Sequence, residues 1–495
     1  PIIEVFGNRV KGNVIFVCYL RIVQLIICHR VLSKEVSMLK KNILIRILTI
    51  ASLLLVNLQW GIVSASPVDT ELQNAILYVK PGANGDCLSW DTACELQTAI
   101  FNAVSGDQIW VAAGSYKPTM DTNRTAAFQL KSGVAIYGGF PAAGGDWSQR
   151  DWETYPATLS GDIGVSGNNA DNSYHVVKSN GVDASAILDG FTISLGYANG
   201  TSNDTGGGMY NRNSSPTLSN VTFIANTAGN FGGGMYNNSS SPSLSNVTFS
   251  GNTASNHGGG MSNFGGSASL SNVTFIGNTA TRSGGGMYNY NNSATLSNVT
   301  FIGNLATGDG GGMFNSQSSS TLSDVTFIDN LATNDGGGMF NSQSSSTLSD
   351  ITFSGNTAGS FGGGMYNLQG NPSLNNITFS GNNAEHFGGG MLSFQSSPTL
   401  RNVTFSGNTA TNNGGGIYNL QGSPTLTNAI LWGNTPDQIR GDSTTVTYSD
   451  VQGGYPGTGN INDDPLLGPL ADNGGLTQTH AIAAGSPAID LSFSF

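Results

Sequence analysis

The triplet Gly-Gly-Gly begins at residues 206, 232, 258, 284, 310, 336, 362, 388 and 414, and every interval is 26 residues. Nine copies without an insertion or deletion mean that one supersecondary unit is stacked on the next, each burying its apolar face against its neighbours. Within one unit, Met235-Tyr236-Asn237 after the glycines reads as a short strand, Ser241-Pro242-Ser243-Leu244 as a second extended piece and Val247-Thr248-Phe249 as a third. The corners between them are rich in Asn, Ser and Gly, which tolerate left-handed backbone. β-branched residues alternating with turn residues every few positions argue against helix. Three strands and three corners per coil predict an all-β chain, a right-handed single-stranded parallel β-helix.

Residues 26 apart then become stacks spaced by about 4.8 Å, the inter-strand distance. Leu218 to Leu426 form one such column, Phe223 to Phe405 a second that closes with Leu431, and Met209 to Met391 a third that ends at Ile417. These columns are expected to point inward, where burial contributes roughly 25 cal/mol per Å² of apolar surface. Replacement of the last Met by Ile favours core filling over a metal or redox stripe. Two polar columns also recur. Asn226, Asn252, Asn278, Asn304, Asn330, Asn356, Asn382, Asn408 and Asn434 occupy a turn in every repeat, and Asn220, Asn246, Asn272, Asn298, Asp324, Asp350, Asn376, Asn402 and Asn428 form a second column. Stacked amides can hydrogen-bond along the axis, so an asparagine ladder is expected. The repeat accounts for the Asn-Val-Thr triplets better than glycosylation does.

A core is within reach for 495 residues, but 69 glycines and 10% charged residues do not suit a helical or doubly wound domain. The net charge of −12 leaves no basic stripe for nucleic acid. Met38 is a better start than Pro1: Lys40, Lys41 and Arg46 precede the apolar run Ile47–Val56, and Val63-Ser64-Ala65 reads as a cleavage site. Residues 38–65 are thus expected to be an export signal, with a membrane anchor as the alternative, and residues 1–37 to lie upstream of the true start. Eight basic and two acidic residues fall within 1–65, so residues 66–495 carry 10 basic against 28 acidic residues, a charge of 10 − 28 = −18. The two cysteines of that region, Cys87 and Cys94, suit a short-loop disulfide in an exported protein, with two buried thiols as the alternative.

An amphipathic helix over Thr92–Val104, with Leu96, Ile100 and Val104 on one face, is expected to cap the N-terminal end. Irregular coils should run over 66–200, the regular array over 201–440 and C-terminal coils over 441–495. The last segment ends soon after Gly485-Ser486-Pro487-Ala488-Ile489-Asp490, and truncation is expected there.

The paired Gly-Gly-Gly-Met and Phe-x-x-Asn motifs, as in Phe249-Ser250-Gly251-Asn252, resemble the repeats of chlamydial polymorphic outer membrane proteins, with Gly and Met in place of the family's Ala and aliphatic residue. Leu470-Ala471-Asp472-Asn473-Gly474-Gly475-Leu476-Thr477-Gln478-Thr479-His480 and Ser486-Pro487-Ala488-Ile489-Asp490 resemble the choice-of-anchor Q domain of bacterial surface proteins. Ile136-Tyr137-Gly138-Gly139-Phe140 and Ser148-Gln149-Arg150-Asp151-Trp152 are similar to the N-terminal part of the same proteins. The resemblance implies a pectin-lyase-like β-helix at a cell surface or outer membrane and says little about a ligand.

Many such helices cleave acidic polysaccharides, which takes a basic residue and cation-binding carboxylates, or paired carboxylates about 5–9.5 Å apart. After Lys178 the basic residues are Arg212, Arg282, Arg401 and Arg440, scattered over different columns. Asp309 and Asp335 are 26 apart, as are Asp324 and Asp350, so each pair should sit on adjacent coils. Either pair could bind a cation such as Ca²⁺ or hold one raised pKa, with Asp309 and Asp335 the candidate binding residues; the alternative for both pairs is exposed or ladder aspartate. No other cofactor is expected. His257 and His386 read as surface histidines. The column Thr222 to Thr404 alternates with Val and Phe and should face solvent, which suits either strand propensity or a repetitive ligand such as ice or crystalline glycan. The expected function is a non-catalytic, secreted or surface-bound scaffold, adhesin-like or part of an envelope. Glycans or a host or neighbouring cell surface are the expected partners. A polysaccharide lyase or glycoside hydrolase is the alternative.

Overall fold

The computed structural model describes residues 74–489. The expected export signal and everything upstream of it lie outside the described residues. Three parallel sheets of seventeen, twelve and nine strands run along a solenoid. A coil passes through all three: Met235–Asn238 in the twelve-stranded sheet, Ser243–Ser250 in the long sheet and Thr253–Ala254 in the nine-stranded sheet. Register between coils follows the repeat, with Met235 on Met261, Phe249 on Phe275 and Ala254 on Ala280. The all-β solenoid read from the sequence is therefore the fold.

The division of the coil differs from expectation. The pieces around Leu244 and Val247–Phe249 belong to one strand, and the third sheet is built from the Thr-Ala pair instead. Asn246 is the reason. In an ordinary strand Leu244 and Val247, three residues apart, would face opposite ways. Asn246 has φ of 54°, and this left-handed residue kinks the strand so that Leu244, Val247 and Phe249 are all buried. Asn and Asp adopt that conformation most readily among residues with a Cβ. Every member of the column has it, including Asp324 at 55° and Asp350 at 57°.

The Gly triplet combines two demands. Gly232 has φ of 64°. A Cβ on Gly233 would lie 2.4 Å from the Thr253 carbonyl oxygen, and one on Gly234 would lie 2.6 Å from that of Gly260. The corner is too tight for any side chain.

Inside, the Leu, Met and Phe columns are buried as expected. From Phe223 to Phe405 the rings stack 4.6–4.8 Å apart with interplanar angles of 3–6°. The Asn226 column is also buried, and Asn252 shows how it is satisfied. Its Nδ2 donates to Asn278 Oδ1 at 3.0 Å and to the Phe223 carbonyl at 2.9 Å, and its backbone N–H donates to the same Asn278 Oδ1. The last rung, Asn434, donates to Gln438 Oε1.

A second buried ladder was not anticipated. Asn211, Asn237, Asn263, Asn289, Asn315 and Asn341 each donate Nδ2 to the Oδ1 of the next amide, the last of them Asn367, at 2.7–3.0 Å. The signal was present, because Asn237 lies two residues after inward-facing Met235 and shares its face. This ladder breaks where Ser393 replaces Asn. Asn367 Nδ2, Ser393 Oγ and Asn419 Oδ1 are left buried without partners.

At the N-terminal end, Cys87 and Cys94 form a disulfide. The helix spans Leu96–Asn102 and packs against the strands Ile76–Val79, Gln108–Ala112 and Phe128–Gln129. It is shorter than expected: Val104 falls beyond it and is exposed, and Ala99 joins Leu96 and Ile100 on the buried face. The C-terminal segment folds into an antiparallel hairpin, Leu467–Ala471 with Thr479–Ile482. This hairpin lies on the outer face of the long sheet, where Thr352 Oγ1 donates to the Gln478 carbonyl at 2.6 Å and His480 Nε2 lies 3.0 Å from Ser380 Oγ. Thr352 and Thr378 are therefore buried, whereas Thr222 to Thr326 stay partly open as expected.

Two substitutions test the packing. Phe301→Ala removes a ring with neighbours on both sides and should destabilise by about 3–5 kcal/mol, read by denaturant unfolding. Ser393→Asn should reconnect the second ladder and stabilise by about 1–3 kcal/mol. Slowed amide exchange in the coils holding Asn367 and Asn419 would show it.

Candidate functional site

The outer surface carries two features that repetition alone does not produce. The first is on the long sheet. A loop after Ile136–Phe140 folds over the early coils and walls a recess of about 410 Å³. Its wall includes Trp152 and Glu153, and its floor Thr192, Thr222, Thr248, Asn220 and Asn246. The wall is tied to the floor by one side chain. Arg150 donates to the Gly138 carbonyl and pairs with Asp189 at 2.5 Å, and its guanidinium lies 5.2–5.4 Å from the rings of Tyr137, Trp147 and Trp152. Asp189 Oδ1 also accepts from Asn220 Nδ2 at 2.9 Å.

That contact begins the outer ladder. Asn246, Asn272 and Asn298 each donate Nδ2 to the preceding Oδ1 at 2.7–3.2 Å, so the run of amides ends on the Asp189 carboxylate. A second run, from Asn428 through Asn402 and Asn376, ends on Asp350. A carboxylate accepts but does not donate. Asp324 and Asp350 therefore divide the ladder while keeping its left-handed backbone, which is the ladder alternative raised for this pair. The open Thr column beside the amides runs from the recess to the C-terminal hairpin. Six coil steps, Thr192 to Thr352, give roughly 25–30 Å of polar track. A larger recess, about 550 Å³, lies against the disulfide loop and Lys80, Asp86, Trp90 and Asp91. It is built from one loop and does not continue along the coils.

The second feature lies on the outer face of the twelve-stranded sheet. Tyr288, Phe314, Phe340 and Tyr366 form a continuous line of rings with centroids 4.7–5.4 Å apart. Asp309 and Asp335 sit beside it. They are adjacent as expected, but they are half-buried, not solvent-exposed. Burial raises Asp309 above the usual carboxylate range. Burial, and then the Asp309 charge, push Asp335 up to about 7, although Asp335 accepts a hydrogen bond from the Phe361 amide at 3.1 Å. His257 occupies the same column as this pair and is a correction to the surface reading. Its ring is sandwiched by Phe231 at 5.5 Å and Tyr288 at 4.4 Å, with Nδ1 buried and unpartnered. Burial, with the Arg282 charge, lowers it to about 4. Aromatic residues at Phe231, Phe361 and Phe387 in its column were the available signal. His386 is exposed as expected.

The Asp pair thus lies in the corner that leads into the twelve-stranded sheet, whereas the recess is on the long sheet. Among the described residues no three His, Cys, Asp or Glu side chains converge as a ready metal centre. Nor is any helix there long and apolar enough to cross a membrane.

Residues 266–434 match the family described as a right handed beta helix region. No curated protein matches the chain. Among solved structures, pectate lyase Pel9A is similar at 12% identity, covering 77% of this chain and 79% of its own, with a TM-score of 0.36. The catalytic domain of a GH87 alpha-1,3-glucanase is similar at 12% identity, 75% and 68% coverage and a TM-score of 0.35. PfbA, a surface adhesin of Streptococcus pneumoniae, is similar at 11% identity, 76% and 92% coverage and a TM-score of 0.31.

The acidic pair has a testable pH signature. An acid whose folded-state pKa lies above its unfolded value binds more protons folded than unfolded, so stability falls as pH rises between the two. For Asp335 that window runs from 3.8 to about 7. The stability difference favouring Asp335→Asn over the native protein should be smallest near pH 4, grow to pH 7 and level off above it, read by paired thermal melts.

Proposed function

We propose that this protein is a non-catalytic, exported β-helix that works at a cell surface by holding a glycan along the outer groove of its long sheet. The observation that carries the reading is the recess walled by Trp152, whose floor of Thr hydroxyls and Asn amides continues along the coils. Flat aromatic rings stack on the apolar faces of sugar rings, and fixed polar groups orient their hydroxyls. The outer-ladder amides spend one N–H and one acceptor position on each other and keep the remainder for a ligand. The export signal read at 38–65 and the Cys87–Cys94 disulfide support an oxidising, extracellular location. A cell-surface role accords with the resemblance to choice-of-anchor Q proteins.

Glu153 is the carboxylate among the recess residues, and the Asp309–Asp335 pair lies outside the recess, in the corner that leads into the twelve-stranded sheet. That separation favours binding over hydrolysis, which needs two carboxylates flanking one bond. Burial of Thr352 and Thr378 shortens the Thr column, and this favours a chain-like ligand over a crystal plane such as ice.

A glycan array and a product-release assay on the same polysaccharides test the reading together. Binding without product release is expected, and Trp152→Ala should weaken binding about tenfold or more, while Asp335→Asn leaves it unchanged. Steady release of reducing ends or unsaturated uronates would replace the scaffold reading with an enzyme. No binding across a broad array, with no effect of gene deletion on cell attachment, would remove it.

A further inference from the structure

Where the regular array ends, the chain leaves one carboxylate in an unusual position. Asp450 lies on the short strand Asp450–Val451, which pairs with Ile430 and Leu431 of the long sheet and is bridged by Ile461. The residue is fully buried, and neither carboxylate oxygen has a hydrogen-bond partner. Charges that could balance it are of the wrong sign. Residues 441–495 contain no Lys or Arg, and the nearby carboxylates are those of Asp463 and Asp464. Burial first, then these two charges, push Asp450 up to about 6, although the Asp463 amide is near enough to favour the anion.

Its polar neighbours along the chain make hydrogen bonds of their own. Asn460 Nδ2 donates to the Val446 and Tyr455 carbonyls, and its Oδ1 accepts from the Ser449 amide. Ser449 Oγ donates to the Thr447 carbonyl, and Asn462 Oδ1 accepts from the Gly453 amide. An unpaired buried carboxylate is costly, and the surrounding oxygens are the ligand type of a hard cation.

We propose that Asp450 anchors a divalent cation site of the Ca²⁺ class, completed when the exposed carboxylates of Asp463 and Asp464 are drawn onto it. Ca²⁺ accepts irregular sets of oxygen ligands, whereas Mg²⁺ demands a near-ideal octahedron. No acidic cage is preformed there, so binding would tighten the turn at 461–465 that leads to the hairpin over the long sheet. A site that must close around its ion belongs with the weak extracellular class, Kd about 0.1–1 mM. It is separate from Asp309 and Asp335 and independent of what the groove binds.

The test uses the full chain. CaCl2 is titrated by calorimetry, and thermal melts and amide exchange are compared in CaCl2 and in EDTA. Binding in the millimolar range or tighter, a higher Tm and slower exchange at 446–464 are expected. Asp450→Asn should abolish all three responses, Asp463→Asn with Asp464→Asn should weaken binding about tenfold or more, and Asp335→Asn should leave it intact. No response in the native protein, or undiminished binding in Asp450→Asn, overturns the proposal. So does an Asp450→Asn protein that is more stable than the native one at pH 7 in saturating Ca²⁺, which would mark a carboxyl kept as the neutral acid. If Asp450→Asn does not fold, the Asp463/Asp464 double variant decides, and native affinity in it also overturns the proposal.

Discussion

In a solenoid of constant period each side chain is stacked on its own counterpart, so the structure depends on which groups tolerate a copy of themselves at strand spacing. Phe does, because parallel rings at 4.6–4.8 Å bury each other's faces. A primary amide does even better, since it carries both a donor and an acceptor and can hand one hydrogen bond down the axis indefinitely. The two interior Asn ladders and the outer one are three uses of that property. The Asn226 column also closes each corner, binding backbone groups of two coils with one side chain. Buried polar columns of this kind rigidify a fold when every member is satisfied and cost stability where one is missing, as at Ser393.

A carboxylate is not self-complementary, and each place where Asp enters a column shows the consequence. At 324 and 350 the backbone requirement for a left-handed residue is kept, and the axial hydrogen bonding stops. At 309 and 335 two like charges share a half-buried strip beside aromatic rings, and the second is pushed into the neutral pH range. Asp450 obeys the same logic at the end of the array, where burial and like charge coincide and neither carboxylate oxygen is hydrogen-bonded. Each is a departure from repetition, and departures are where a repetitive surface acquires chemistry.

The outer groove arises differently. Uniform coils would present a flat face; two irregular segments make it a track by folding back on it. The Arg150–Asp189 pair binds the first to the sheet and terminates the outer ladder in one contact set. The hairpin near the C-terminal end of the described chain fixes the second through Thr352 and Ser380. A rigid ladder floor with a Trp wall holds polar groups in place before a ligand arrives, and such preorganisation lowers the ordering cost of binding.

The sequence by itself determined the solenoid, its period and the identity of the Leu, Met, Phe and Asn226 columns, because a strict repeat converts spacing directly into stacking. It also carried the Asn237 ladder and the aromatic setting of His257 in its alternation and column composition. The two-residue Thr-Ala sheet is too short for any periodicity to reveal, and the kink at Asn246 hides its parity until φ is known. Tertiary structure alone decided which Thr are covered, which loop walls the groove and which carboxylate lacks a donor. Those outcomes join residues as far apart as Thr352 and Gln478, and contacts between non-repeating segments leave no periodic trace in the chain.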